Sequence, residues 1–135
     1  MGNQRHRTIH CLPALALAAL LLVPQLAHAG FQQRLTEWLD DKDVRAVVVE
    51  FYSDTCKPCL EAVPRWEELR KKYHDAGLRL IVINIDEVDN VGQCKKLPWK
   101  PWRKLCKPEL ADELGITNVP QSFAWSWQGE LLVAG

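Results

Sequence analysis

The chain lacks a net charge, since its 135 residues carry 17 Lys and Arg side chains against 17 Asp and Glu. Nucleic acids and anionic membrane surfaces attract an excess of basic side chains, so this balance argues against either partner. The stretch from Lys95 to Lys107 does interleave Trp99 and Trp102 with six basic residues. Such a mixture also occurs in nucleic-acid-binding proteins, but the neutral whole and the export argued below disfavour that function.

Internal repeats and low-complexity linkers are also lacking, and the length suits one domain with one core. Nor is there an apolar run long enough to cross a membrane comfortably. The apolar run from Cys11 to Val23 falls short of the about 20 residues that a spanning helix needs, and Pro13 and Pro24 bracket it. An uncleaved membrane anchor is therefore disfavoured.

The N-terminus instead has the pattern of a secretory signal peptide. Arg5 and Arg7 precede the apolar run, no acidic residue occurs before Glu37, and Ala27-His28-Ala29 supplies a small-x-small cleavage site. We therefore predict that residues 1–29 are removed after Ala29 and that residues 30–135 form the mature domain. The product would be secreted or periplasmic, with no membrane attachment after cleavage.

Cysteine is scarce, and cleavage changes its count. Removal of Cys11 reduces five cysteines to four, namely Cys56, Cys59, Cys94 and Cys106. An even number in an exported protein permits two disulfides. For Cys94 and Cys106 a structural disulfide is the favoured interpretation, because no helix start activates either thiol. Two free thiols and a second redox pair remain open.

Periodicity predicts an α/β domain with a mixed sheet and helices on its faces. Ala46–Tyr52 and 78–85 are apolar, β-branched runs typical of buried strands. The helix between them makes a βαβ unit, so these strands should be parallel. The predicted helices cover residues 31–41, 56–75 and 108–114, residues 121–127 and 130–134 form a hairpin, and residues 86–107 are irregular. The inner face of the long helix is predicted to carry Leu60, Val63, Trp66, Leu69 and Tyr73.

The motif Cys56-Lys57-Pro58-Cys59 stands where a buried strand turns into a helix. Two cysteines at this spacing can close a small disulfide with little backbone movement. Cys56 would lie at the helix N-terminus, where free N–H groups and the helix dipole favour a thiolate, and Lys57 adds positive charge. Pro58 fits a first helical turn. These features indicate thiol–disulfide exchange, with Cys56 as the attacking thiol and Cys59 as the resolving thiol.

The same cysteines admit two alternative roles. A zinc or copper module would need further closely spaced ligands, whereas Cys94 and Cys106 are far apart along the chain and have no histidine nearby. A purely structural disulfide is the other alternative. No metal or organic cofactor is expected.

Residues 47–59, with Pro64 and then Val119-Pro120, resemble the thioredoxin superfamily. The resemblance implies a thioredoxin-like fold, a cis bond before Pro120, and substrate contact by Val119, Pro120, Lys57 and Pro58. The Val119 backbone would pair with an extended substrate segment. Glu50 matches a position that often carries a buried acid in that superfamily. The alternative is a glutamate that reaches solvent at the strand's edge.

The chain departs from the superfamily pattern at two places. Thr55 replaces the tryptophan that usually precedes the first cysteine. The sequence given stops at Gly135, where the family normally adds a C-terminal helix, so we expect exposed apolar surface unless something else covers it.

The sequence thus predicts an extracytoplasmic oxidoreductase that acts on protein disulfides and depends on a redox partner protein. The resemblance favours a reductase like those serving cytochrome c maturation. An oxidase or isomerase is the alternative that Glu50 favours, since protein disulfide isomerase domains also carry glutamate there.

Overall fold

The computed structural model of the chain describes residues 29–86 and 100–135, and within them five strands form one sheet in the order β3-β2-β1-β4-β5. The strands are β1 (Ala46–Tyr52), β2 (Leu78–Asn84), β3 (Arg103–Cys106), β4 (Gln121–Ser126) and β5 (Leu131–Ala134). The helices of this part are α1 (Ala29–Leu39), α2 (Lys57–Tyr73) and α3 (Pro108–Glu113). Except for Ala29, where α1 begins, the predicted signal peptide lies outside the described residues.

The central strand β1 has partners on both sides. It pairs with β2 in parallel, as the βαβ pattern predicts, and with β4 in antiparallel. The register places Glu50 opposite Val82 on one side and opposite Ser122 on the other. The predicted hairpin is confirmed as the antiparallel pair of β4 and β5. The sheet is therefore mixed, as expected, with its two longest strands at the centre.

Helices cover both faces of this sheet. On one face, α1 and α3 bury side chains against β1, β2 and β4 in a cluster that includes Phe31, Leu35, Trp38, Leu110, Val47, Val49, Phe51, Ile81, Ile83 and Trp125. On the other face α2 packs Cys59 and Trp66 against Tyr52, Leu80 and Val82. Since strand side chains alternate between faces, Glu50 points to the same side as Tyr52, the side covered by α2.

Two sequence-based expectations about elements were wrong. Residues 86–107 are not irregular throughout, because Arg103–Cys106 form β3, parallel to β2. The inner face of α2 is also narrower than predicted. Leu60 is 50% exposed and Tyr73 is 40% exposed, whereas Cys59 and Trp66 are buried. Leu60 and Tyr73, at the two ends of the predicted apolar stripe, therefore do not belong to the buried face of α2.

Apolar surface is exposed at the β5 edge of the sheet. Leu131, Leu132 and Val133 are each more than half exposed, as is Trp127 before the turn. Exposed apolar surface was expected, although its position at this edge was not. Within residues 29–86 and 100–135, no helix has the length and apolar character to cross a bilayer.

Candidate functional site

The site forms at the carboxyl end of β1, where the chain leaves the sheet and enters α2. Cys56 is the N-cap of α2, in extended conformation, and its carbonyl accepts the first helical hydrogen bond from Leu60 N–H at 3.1 Å. Pro58 lies in the first turn, where its missing N–H leaves no bond unmade. The sequence-based placement of Cys56 at a helix N-terminus is therefore correct.

Cys56 and Cys59 form a disulfide, with their Cα atoms 5.2 Å apart. The Cys59 N–H donates to Cys56 Sγ at 3.2 Å. Because this bond and the helix dipole both favour negative charge on the sulfur, they would stabilise a Cys56 thiolate after reduction. Cys56 is half-buried and Cys59 is fully buried. The two sulfur-bearing residues therefore differ in their access to solvent.

The segment before β4 faces the cysteines. The Val119–Pro120 peptide bond is cis, as the resemblance implies. The Val119 carbonyl oxygen lies 3.6 Å from Cys56 Sγ, and Pro120 is exposed. This segment and the cysteine motif thus share one surface, although they are far apart in sequence.

Lys57 is exposed on the same surface. Its Nζ lies 3.8 Å from Glu61 Oε1, one helical turn along α2, and both side chains are largely solvated. Such a pair contributes little to stability, which leaves the lysine able to turn towards a bound chain.

Glu50 is buried, with 4% of its surface exposed, so the alternative of a solvated glutamate is wrong. Burial raises its pKa from about 4.5 to about 7. Two contacts oppose that rise: Ser122 Oγ–H donates to Glu50 Oε2 at 2.6 Å, and the Arg65 guanidinium attracts the charge. A cavity of about 370 Å³ reaches the carboxyl, lined by Glu50, Ala62, Arg65, Trp66, Leu69, Pro120 and Ser122.

Asp86 is a contact residue of the Cys56 loop that the sequence did not single out. It is half-buried and accepts hydrogen bonds from Ser53 and Asp54 in the loop before Cys56. The acid directly after β2 was visible in the sequence. Its partners were not, because they lie more than 30 residues earlier in the chain.

The remaining predicted pair is divided between the described and the undescribed parts of the chain. Cys106 ends β3, opposite Asn84 of β2, whereas Cys94 lies outside the described residues. A disulfide between them therefore stays a prediction. Among residues 29–86 and 100–135, no three His, Cys, Asp or Glu side chains are grouped so that they could hold a metal ion.

The match to known proteins agrees with this geometry, since the family model for thioredoxin covers residues 23–113. The chain belongs to the thioredoxin family. It is 35% identical over 97 residues to the thiol-disulfide oxidoreductase ResA of Bacillus thuringiensis subsp. konkukian, which is 70% of this chain and 56% of the relative. The chain therefore spans little more than half the length of that curated relative.

Solved structures show the same thioredoxin-like fold. A protein described as the thiol:disulfide interchange protein DsbE of Chlorobium tepidum superposes with a TM-score of 0.59 at 23% identity, covering 71% of this chain and 70% of that one. StoA of Bacillus subtilis gives 0.52 at 21% identity, covering 67% and 72%. At these identities the likeness concerns the fold alone.

Proposed function

We propose that this member of the thioredoxin family is a thiol–disulfide oxidoreductase that acts on protein disulfides. The observation that carries the proposal is the asymmetric Cys56–Cys59 disulfide at the start of α2, with a half-buried outer sulfur and a fully buried inner one. The relative ResA is named for the same activity.

The reaction follows from this arrangement. In the reduced protein, the Cys56 thiolate attacks one sulfur of a substrate disulfide, which forms a mixed disulfide and releases the other substrate sulfur as a thiolate. Cys59 then loses its proton and attacks Cys56 Sγ. The Cys56–Cys59 disulfide forms and the second substrate sulfur leaves, so two electrons pass from the protein to the substrate. A redox partner protein must reduce the pair again.

Two further groups have roles in this scheme. The exposed Pro120 and the backbone of Val119, next to Cys56 Sγ, would hold an extended substrate segment by strand addition, with Lys57 and Pro58 on the same surface. Glu50 would accept the proton that Cys59 loses, because a carboxyl with a pKa near 7 exchanges protons readily near neutral pH.

The test of the proposal is a trapping experiment on exported protein. Cys59→Ser should accumulate mixed disulfides with substrate proteins through Cys56, because the resolving step is blocked. Cys56→Ser should trap few or none, since the remaining thiol is buried. Equal trapping by the two variants, or equal iodoacetamide labelling of both thiols at neutral pH, would contradict the assigned roles.

We further propose that the domain works outside the cytoplasm, mainly as a reductase. The basic start, apolar run and Ala27-His28-Ala29 site support export. A redox titration of the mature domain against glutathione decides the direction of electron flow. A midpoint near the about −270 mV of thioredoxin supports a reductase, whereas one near the about −180 mV of protein disulfide isomerase supports an oxidase or isomerase.

A further inference from the structure

The loop between β1 and α2, residues 53–56, is fastened to the end of β2 by one carboxylate. Ser53 Oγ–H donates to Asp86 Oδ1 at 2.6 Å, and the Asp54 N–H donates to Asp86 Oδ2 at 2.7 Å. Each carboxylate oxygen of Asp86 therefore accepts a hydrogen bond from one of two consecutive residues in the loop that leads to Cys56.

The Ser53 hydroxyl extends this contact towards the cysteine. Because its single proton goes to Asp86, the Thr55 hydroxyl, 3.0 Å away, must act as donor to Ser53 Oγ. The Thr55 N–H donates to the same oxygen at 3.2 Å. The Ser53 carbonyl in turn accepts from the Cys56 N–H at 3.2 Å. Ser53 thus contacts Asp86 through its hydroxyl and the backbone N–H of Cys56 through its carbonyl.

Asp86 is itself hydrogen-bonded to a residue of the sheet. Its backbone N–H donates to Asn84 Oδ1 at 2.6 Å, and Asn84 is fully buried in strand β2. Ser53 is also almost fully buried, with 7% of its surface exposed. Through its carboxylate, Asp86 therefore fixes the irregular loop before Cys56 relative to strand β2.

We propose that Asp86, acting through Ser53, is a positioning residue that holds Cys56 Sγ at the N-terminus of α2. The proposal rests on the proposed function, in which Cys56 is the attacking thiol. Without these bonds the turn that ends at Cys56 would move more freely, and its sulfur would spend less time against the Cys59 N–H. Cys56 would then be a weaker acid and a slower nucleophile at neutral pH.

The charges around the loop allow a sharp test, because the loss of positioning should raise the pKa of Cys56, whereas the loss of a nearby negative charge should lower it. Asp54 within the loop and Asp86 beside it carry negative charge. The exposed Lys57 follows Cys56, and Lys104 of β3 interacts with Asp54. Glu50 of β1 is buried on the face that α2 covers. Removal of a nearby negative charge favours a thiolate. If Asp86 acted only through its charge, its loss would therefore make Cys56 more acidic.

The experiment measures the pH dependence of iodoacetamide alkylation of Cys56, followed in its own peptide by mass spectrometry, in the reduced Cys59→Ser protein. Ser53→Ala removes the three hydrogen bonds of the Ser53 hydroxyl and no charge. It should raise the apparent pKa of Cys56 and slow alkylation below that pKa by roughly threefold, because only part of the about 1 kcal/mol of each lost bond acts on the sulfur. Asp86→Asn should not make Cys56 more acidic, since one acceptor oxygen is lost together with the charge.

Asp54→Asn is the matched control, because it removes a charge from the same loop and keeps the N–H that bonds Asp86. It should leave Cys56 unchanged or more acidic. An unchanged pKa in Ser53→Ala, or the same fall in pKa for Asp86→Asn and Asp54→Asn, would overturn the proposal. Ser53→Ala keeps the test valid if Asp86→Asn fails to fold.

Exchange of the parent protein with oxidised glutathione is measured alongside and tests the oxidoreductase itself. If the parent exchanges normally and Ser53→Ala does not change the Cys56 pKa, only the positioning role is excluded. If the parent does not exchange but Ser53→Ala still shifts the Cys56 pKa, only the proposed activity is excluded.

Discussion

Glu50 is the residue at which stability and the proposed chemistry conflict. A carboxyl with 4% of its surface exposed loses most of its hydration, and its pKa rises to about 7 despite the hydrogen bond from Ser122. The folded state therefore holds the Glu50 proton more tightly than the unfolded state does. As pH rises from about 4.5 to about 7, the unfolded chain ionises first, so the stability of the fold falls over that range and then levels off.

Glu50→Gln should remove this penalty. The variant should match the parent at about pH 5, where Glu50 is protonated, and exceed its free energy of unfolding at about pH 8.5 by an amount on the order of 3 kcal/mol. Urea unfolding of the oxidised proteins at both pH values measures the difference. The same difference at both pH values would mean that Glu50 does not titrate as its burial implies.

The same substitution tests the proton transfer. Glutamine cannot accept a proton, so Glu50→Gln should slow the attack of Cys59 on the mixed disulfide by roughly 10²-fold, within the usual range for one general base. The first attack by Cys56 should change little. Stopped-flow measurement of the two phases across pH separates the steps. An unaltered second phase with an unaltered pH profile would exclude Glu50 as the acceptor.

Individual residues differed in how far the sequence could reveal their roles. Cys56, Cys59 and Glu50 could be singled out because a short local pattern marks each: two cysteines at a helix start, and one acid inside an apolar strand. Asp86 could not, because its partners Ser53 and Asp54 reach it only once β1 and β2 lie side by side. Nothing local distinguishes it from a solvated acid.

At the scale of elements, strands β2 and β5 differ sharply in burial and in their place in the sheet. β2 is fully buried from Arg79 to Asn84 and has neighbours on both sides, whereas every residue of β5 is exposed and the strand forms an edge of the sheet. The contribution of an apolar side chain should therefore depend on which of the two strands carries it.

Leu80→Ala and Leu132→Ala make a matched pair that tests this contrast. Leu80 is fully buried and Leu132 is 55% exposed. The first substitution should lower the free energy of unfolding by about 2–5 kcal/mol, because it leaves a cavity. The second should change it by less than about 0.5 kcal/mol. Comparable losses in denaturant unfolding would show that β5 packs against something in solution.

Strand β3 illustrates which elements a single sequence conceals. Its four residues, Arg103–Cys106, alternate poorly and include two basic side chains, so no period of two stands out. The strand forms because β2 offers a free edge for parallel pairing, a tertiary condition that lies outside the segment. The longer elements β1, α2 and β2 were predicted to within two residues at each end, because their own residue patterns specify them.

At the scale of the whole molecule, three distant segments meet around Cys56: the start of α2, the residues before β4, and the end of β2. The sheet brings them together because β1 is flanked by β2 and β4. The start of α2 and the Val119-Pro120 step could be anticipated from their motifs and the resemblance. The part played by β2 through Asp86 depends on packing alone.

The edge strand β3 carries the last prediction, a structural disulfide between Cys94 and Cys106. Cys106 ends the edge strand β3, so a bond to Cys94 would pin the preceding segment to the sheet. Closing a loop of this size stabilises the folded state by about 3 kcal/mol in the chain-entropy model. Cys94→Ala, Cys106→Ala and the double variant should each lose about that much stability, because either change alone removes the whole bond.

Denaturant unfolding of the three variants measures these losses, and mass mapping of a non-reduced digest of exported protein detects the bond directly. Both cysteines found free would contradict the disulfide, as would losses in the single variants that add up in the double one. A bond that opens at the same glutathione ratio as Cys56–Cys59 would instead indicate a second redox pair. A structural bond has the lower potential and should stay closed there, because strained or exposed disulfides are the ones that open easily.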